Sequence, residues 1–316
     1  MRVGIVGATG LVGRNMLSIL EERNFPVDEL YLFGSGRVKT HRELIFKGES
    51  LPVEPIGDNI PHLDLALFSA GSEVSRRIAP LFVENGAVVI DNSSAFRMEK
   101  NIPLIVPEVN IDAVKESDRL IANPNCSTIE LVLVLHYLRE LSRLVRVDVV
   151  TMQATSGAGR KGLSAMFIED YSQSPFQKDI FENLIPQIGE FSTGGFCEEE
   201  QKIIFESRKI LGEPELRLLA TTVRVPVRNA HSEAVTIEFE HKVSIEDIRN
   251  VLSDAPGISI TDNIPTPRDA DGKDDVFVGR IRKAMFSDRI VLLWIVADNL
   301  RKGAALNAIQ IAEKLL

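Results

Sequence analysis

The sequence predicts an α/β chain in two parts: a parallel sheet with crossover helices, then an α+β region on a mixed sheet. Three observations predict it. Short, β-branched apolar runs alternate with helically spaced segments over the first 120 or so residues, the pattern of βαβ units. A glycine turn at Gly7 joins the first such run to the first helix. After Val145 the strands lengthen and alternate, and the helices thin out.

In the first part "RVGIV" reads as the opening strand, and "LVGRNMLSILEER" carries helical spacing in Leu11, Met16, Leu17 and Leu20. "LYLF", "LDLALFSA", "AVVIDNSS" and "DRLIAN" read as four further strands, with a helix over "SEVSRRIAPLFVENG". A helix is expected from about Thr128 to Leu141. In the second part "VRVDVVTMQATSG" is a long strand, and "LRLLATTVRVPVRNAHSEAVTIEFEHK" holds two more. "DVFVGRIRKAMFSDRIVLLWIVAD" reads as a hairpin turning near Ser287 and Asp288. Helices are expected at "GLSAMFIEDYSQ", "CEEEQKIIFESRKIL", "SIEDIRNVLSDA" and "GAALNAIQIAEKLL", the last packing back on the first domain.

The chain has 316 residues, room for two domains. Its net charge of −9 disfavours nonspecific attraction to nucleic acid or anionic lipid. No apolar run is long enough for a membrane span. "MRVGIVGATG" reads as a strand entering a turn and lacks the flanks of a signal peptide. Two cysteines make no disulfide framework, so a cytoplasmic setting is expected. No metal site is expected.

"GATGLVG" sets Gly7, Gly10 and Gly13 between strand and helix. Bare backbone there admits a pyrophosphate, and the helix N-terminus supplies N–H groups and positive dipole. This is the fingerprint of a Rossmann-type dinucleotide-binding domain. After the second strand stand Ser35 and Arg37, with Lys39 close by and no carboxylate on the ribose side. A hydroxyl and a guanidinium suit a 2′-phosphate, so NADP is the preferred cofactor.

"NPNCST" places Cys126 at the mouth of a helix. There the dipole and free N–H groups favour a thiolate and could hold an oxyanion. Its surroundings alone leave two readings equal, a nucleophile or a small buried apolar residue. Of five histidines, His231 lies in a connection between two strands, where catalytic groups are often presented.

These stretches together resemble the aspartate-semialdehyde dehydrogenase family over nearly the full chain. They are "GATGLVG", "SAGSEVS", "VIDNSSAFRM", "PLIVPEVN", "NPNCST", "QATSGAG", "EEEQKI", "VRVPVRNAHSE" and "ADNLRKGAALNAIQIAE". The resemblance implies that Cys126 is the nucleophile and His231 the acid/base, with Gln153 orienting the acyl group. Arg224 would bind the substrate carboxylate, Glu199 its amine, and Arg97 with Lys202 its phosphate. Cofactor contacts would come from Gly7, Thr9, Gly10, Leu11, Val12, Ser35, Arg37, Gly71, Asn92, Ser156, Gly157 and Asn299. It also implies a homodimer or homotetramer, and a place in lysine, threonine and methionine synthesis. Domain bounds of 1–122 (completed by 300–316) for NADP binding and 123–299 for catalysis and dimerisation are expected. Two cations, one arginine and one glutamate match the phosphate, carboxylate and ammonium of an aspartyl phosphate group by group. Glu199 is selected among three neighbouring glutamates by its i,i+3 spacing to Lys202. Cys197 reads as a bystander.

The expected chemistry is reversible interconversion of L-aspartyl-4-phosphate and L-aspartate 4-semialdehyde through a Cys126 thioester, with NADP. Two alternatives are an N-acetylglutamyl-phosphate reductase and a non-catalytic NADP-binding paralogue. The first has glycine and an aromatic around its cysteine and no use for Glu199 against an acetylated amine; here Asn125 and Ser127 flank the cysteine. The second tends to lose the nucleophile or the acid/base, and both are present.

Overall fold

A computed structural model describes residues 1–34, 42–57, 60–167 and 174–316. It divides into two compact units, Met1–Pro124 with Ala304–Leu316, and Asn125–Gly303.

The first unit runs β1 (Arg2–Val6), α1 (Leu11–Glu22), β2 (Glu29–Gly34), β3 (Arg42–Phe46), β4 (Glu49–Pro55), β5 (Leu65–Phe68), α2 (Ser72–Glu84), β6 (Val88–Asp91), α3 (Pro107–Asn110) and β7 (Leu120–Ala122). Its sheet has the order β3-β4-β2-β1-β5-β6-β7 and is parallel except where β3 meets β4. The strands β3 and β4 are additions to the sequence reading. In β4, Pro52 and a mostly exposed face hide the strand pattern. Ile5, Met16, Ile19, Leu20, Leu67 and Ile90 form one apolar layer of this unit. Phe68, Ile78 and Phe82 belong to the other.

The second unit runs α4 (Cys126–Leu138), β8 (Leu144–Gln153), a 3-10 turn (Thr155–Ala158), α5 (Gly159–Ala165), α6 (Glu198–Leu211), β9 (Arg217–Arg224), β10 (His231–Phe239), α7 (Ile245–Ser253), β11 (Ile258–Ile260), α8 (Pro267–Ala270), β12 (Val276–Ala284) and β13 (Ser287–Ala297). Its mixed sheet has the order β11-β12-β13-β10-β8-β9. β8 and β9 are parallel, and β10 runs antiparallel between β8 and β13. After a π turn (Arg301–Ala305), α9 (Leu306–Leu315) returns to the first unit, where Leu306, Ile309 and Ile311 join the core with Ile5 and Ile19.

Two boundaries differ instructively from the sequence reading. Helix α4 begins at Cys126, not Thr128, because the Asn125 side chain accepts the Thr128 N–H at 3.2 Å and starts the first turn early. It ends at Leu138 because Glu140 N and Leu141 N turn back to the carbonyls three residues earlier. His231 lies not in a connection but at the first position of β10.

Candidate active site

Register alone assembles the site. Gln153 pairs with Arg224 across β8 and β9, and Ser232 pairs with Met152 across β10 and β8. The ends of two parallel strands and the start of an antiparallel one therefore meet at one end of the sheet, with Gln153, Arg224 and His231 together. Helix α4 is buried nearly all round, as an apolar helix must be, and it presents its first residue to this end. Cys126 Sγ lies 3.3 Å from His231 Nε2.

The surroundings fix each group. Ala154 N donates to His231 Nδ1 at 3.0 Å, and Arg224 Nη1 donates to the Ala154 carbonyl at 2.6 Å. Ala230, just before the histidine, is held left-handed at φ 68°, a strain of about 1–2 kcal/mol for a residue with a Cβ. Its N–H donates to Asn299 Oδ1 at 3.0 Å, and Asn299 Nδ2 donates to Ser156 Oγ at 2.9 Å. Gly157 has no room for a side chain. A Cβ there would stand 2.9 Å from Arg224 Nη1 and 3.5 Å from His231 Nε2.

Arg224 is buried, and its Nε has no hydrogen-bond partner among the described residues. An unpaired guanidinium donor in a dry place is expensive unless an anion comes to it. Glu199, also buried, accepts from Asn125 Nδ2 at 2.7 Å and from Lys202 Nζ at 3.3 Å. Burial pushes the Glu199 carboxyl up, but Lys202, Asn125 and Arg224 outweigh it and leave it below the usual carboxylate range. It is ionised at neutral pH. Cys126 goes the other way from the sequence expectation. Desolvation first, then the Glu199 and Glu130 carboxylates, raise its thiol, against lowering by Arg224 and the Ser127 N–H. The helix terminus does not outweigh them, and the substrate-free site holds a thiol.

In the first unit Gly7 sits at φ 89°, and a Cβ on it would lie 2.8 Å from the Ser69 carbonyl. A Cβ on Gly13 would lie 2.3 Å from the Gly7 oxygen. The turn exists only as bare backbone. Helix α1 behind it has no side-chain cap and no acid in its first turn, which leaves its N-terminus open to an anion. Gly71 at φ 87° starts α2 with nothing within 4 Å of its Cβ position. These residues fit a dinucleotide phosphate. Thr9, Gly10, Leu11 and Val12 occupy the turn and the first residues of α1. Asn92 donates to the Phe68 carbonyl at 3.1 Å and accepts from Asn123 Nδ2 at 2.7 Å. Arg97 is buried, with Nε on the Asn123 carbonyl and Nη2 on that of Asn92. Ser35 and Arg37 lie outside the described residues.

The chain matches two family models. "Semialdehyde dehydrogenase, NAD binding domain" covers residues 2–117 and "Semialdehyde dehydrogenase, dimerisation domain" covers residues 135–302. It is 45% identical, over 100% of its length and 98% of the relative's, to "Aspartate-semialdehyde dehydrogenase" of Aquifex aeolicus. It belongs to the aspartate-semialdehyde dehydrogenase family. Among solved structures, aspartate semialdehyde dehydrogenase II of Vibrio cholerae complexed with ASA superposes with a TM-score of 0.95 at 41% identity, covering 99% of this chain and 97% of that one. The Candida albicans family member with NADP superposes at 0.77 with 26% identity, covering 99% and 98%.

Within the second unit the geometry joins Cys126, His231, Arg224, Glu199, Lys202 and Gln153 in one connected set, and Ser156 with Asn299 in another. Gln153 is buried and donates to Thr151 Oγ1 at 3.3 Å. Lys202 meets Glu199 first, not an anion of its own. Sequence reasoning missed the parts played by four residues. Asn125 caps α4 and braces Glu199. Glu206 accepts the Asn125 backbone N–H at 2.7 Å; nothing local marks it. The carboxyls of Glu130 and Glu233 are fully buried, and none of their four oxygens has a hydrogen-bond partner among the described residues. For Glu130, four residues on from Cys126 in a helix of apolar residues, the lone acid was itself the signal. Cys197 is buried with Sγ 3.1 Å from Thr222 Oγ1.

Proposed function

We propose that this chain is an aspartate-semialdehyde dehydrogenase, interconverting L-aspartyl-4-phosphate and L-aspartate 4-semialdehyde through a thioester on Cys126. The observation that carries it is the 3.3 Å approach of Cys126 Sγ to His231 Nε2 beside an ionised Glu199 and an unsatisfied Arg224. Arg224 takes the substrate carboxylate in its open Nε position, and Glu199 takes the ammonium. A buried carboxylate facing the amine disfavours an acetylated substrate, which argues against the N-acetylglutamyl-phosphate alternative. Lys202 and Arg97 are the cations for the phosphate.

Cys126 Sγ attacks the acyl carbon, and the N–H groups at the start of α4 stabilise the oxyanion as phosphate departs. NADPH, when bound, supplies a hydride to the thioester carbon. Gly7, Thr9, Gly10, Leu11, Val12, Gly71 and Asn92 would hold it, with Ser35 and Arg37 on the 2′-phosphate, and Ser156, Gly157 and Asn299 are the further contacts that the family resemblance implies. The relative solved with NADP supports that coenzyme. His231 assists release of the aldehyde from sulfur. The reading places the protein in amino-acid biosynthesis (lysine, threonine, methionine), in the cytoplasm, as a homodimer or homotetramer. No described helix is long and apolar enough to cross a membrane.

The test is phosphate-dependent reduction of NADP with aspartate semialdehyde. Cys126→Ala abolishes it while circular dichroism stays that of the wild type. Activity in that variant removes the nucleophile, and a preference for N-acetylglutamate semialdehyde in the wild type moves the substrate.

A further inference from the structure

Behind Cys126 and His231 lies a second pair of residues that the reaction leaves unused. Helix α4 starts at Cys126 and strand β10 starts at His231, and these two first residues touch. Glu130 stands one turn beyond Cys126, about 6 Å along the helix. Glu233 stands two residues beyond His231, about 7 Å along the strand and on the same face. The two acids therefore come together one step behind the reacting groups, and each lies in the other's field. Helical side chains lean toward the N-terminus, and Glu130 reaches back this way. A Cβ added at Gly303 would stand 3.2 Å from Glu130 Oε1 and 2.9 Å from Cys126 Cβ.

Both acids are fully buried, and none of their four oxygens accepts a hydrogen bond from a described residue. The Ser127 hydroxyl favours the Glu233 carboxylate but makes no hydrogen bond of its own among the described residues. Asp298, just after β13, adds a further negative field at Glu130. Glu199 from α6 and Arg224 from β9 act on Cys126. Two ionised carboxylates do not stand bare in a dry interior. Side by side they titrate in two separated steps, one proton leaving readily and the other held. With one proton kept, the acid donates to the carboxylate, and that charge-assisted bond satisfies both.

We infer that Glu130 and Glu233 share a single proton, one as an acid donating to the other as a carboxylate, and that the one negative charge left on the pair acts on the Cys126 sulfur from behind. A carboxylate at Glu130 opposes a thiolate at Cys126. The two carboxyls of an aspartic protease share a proton for the same reason. Here the pair touches no reacting atom, so both acids are positioning residues. The bearing on catalysis rests on the reading of Cys126 as nucleophile; the shared proton does not.

Infrared spectroscopy of the full chain, labelled with carbon-13 at glutamate, tests the proton. At pH 7 the wild type should show a protonated-carboxyl stretch that moves in deuterium oxide. A glutamine at either position supplies an N–H to the remaining carboxylate. The stretch should therefore be lost in Glu130→Gln and equally in Glu233→Gln, and the double variant should lose nothing more. No loss in the single variants, or a second loss in the double, overturns the shared proton. The pH dependence of Cys126 alkylation by iodoacetamide, followed by mass spectrometry, tests the charge. Each single glutamine variant keeps one negative charge, so its profile should overlay that of the wild type. The double variant keeps none, and its profile should move down by about one pH unit. Glu130→Leu leaves Glu233 without a donor and neutral, and should move the profile likewise, which secures the test if the double variant does not fold. A profile that stays in place when the charge is removed, or that moves in the single glutamine variants, overturns the action on the sulfur. Both readouts are taken without turnover. Retained activity in Cys126→Ala, which would sink the nucleophile reading, is thus distinct from failure of the pair.

Discussion

A single histidine, His231, carries a consequence for stability. Its folded-state pKa of about 3 lies below the ordinary value of about 6.5. As pH falls through 6.5 the unfolded chain gains a proton that the folded chain refuses. Stability is then lost at up to about 1.4 kcal/mol per pH unit until pH nears 3. In His231→Gln this contribution is absent, so urea denaturation at pH 7 and pH 5 should show a smaller acid loss than in the wild type. Cys126, His231 and Arg224 were legible in the sequence as residue types in a familiar order. The protonation states were not, because they depend on an amide 77 positions away and on burial that no local window contains. The prediction of a lowered Cys126 pKa failed for the same reason: it counted the helix terminus and left out desolvation.

Among the elements, α4 concentrates the unusual features. Its cap, Asn125, uses its side chain twice, accepting from Thr128 and donating to Glu199. Asn125→Ala should cost about 1 kcal/mol as a lost cap, and should raise KM for the amine-bearing substrate by loosening Glu199. Equilibrium unfolding and steady-state kinetics measure the two effects separately, and an unchanged KM would detach the cap from the substrate. One turn further, Glu130 meets the influence of Glu233 on β10, and burial holds both carboxyls well above the usual range. Burial resists their ionisation in the fold, whereas both ionise readily when unfolded. Each therefore takes stability away as pH rises above about 4.3, by up to about 1.4 kcal/mol per unit. Glu130→Gln removes one such proton demand. Its stability relative to wild type should grow between pH 5 and pH 8, the opposite direction to the histidine effect. A pH-independent difference would mean that Glu130 is ionised in the fold. The helices were visible from periodicity, with α4 displaced by its cap. The strands β3 and β4 were not, since an exposed strand carrying a proline has little apolar pattern to read.

For the molecule as a whole, the second sheet has one face against helices and another that is open. Along β8 the residues Val147, Val149, Thr151 and Gln153 are buried, while Val150 on the other face is 42% exposed. On β9, Leu219 is 48% exposed on the corresponding face. Exposed aliphatic side chains on an open sheet face suit burial by a second copy, in keeping with the "dimerisation domain" description of the matching family model. Charging both positions, Val150→Glu with Leu219→Glu, should convert a dimer to a folded monomer in sedimentation velocity. An unchanged sedimentation coefficient would place the interface elsewhere.

The sequence by itself determined the two-part α/β character, the bare-backbone turn at Gly7, and the set of groups proposed for acyl transfer. Those follow from local rules: periodicity, glycine geometry, and residue types that match the charges of a substrate. Only the tertiary structure decided that the Ala154 amide meets Nδ1 of His231, that burial pushes the Cys126 thiol up, and that Asn125 ties a helix start to Glu199. These depend on desolvation and on hydrogen bonds between segments 74 to 105 residues apart, and such energies exist only once the sheet register has brought the segments together.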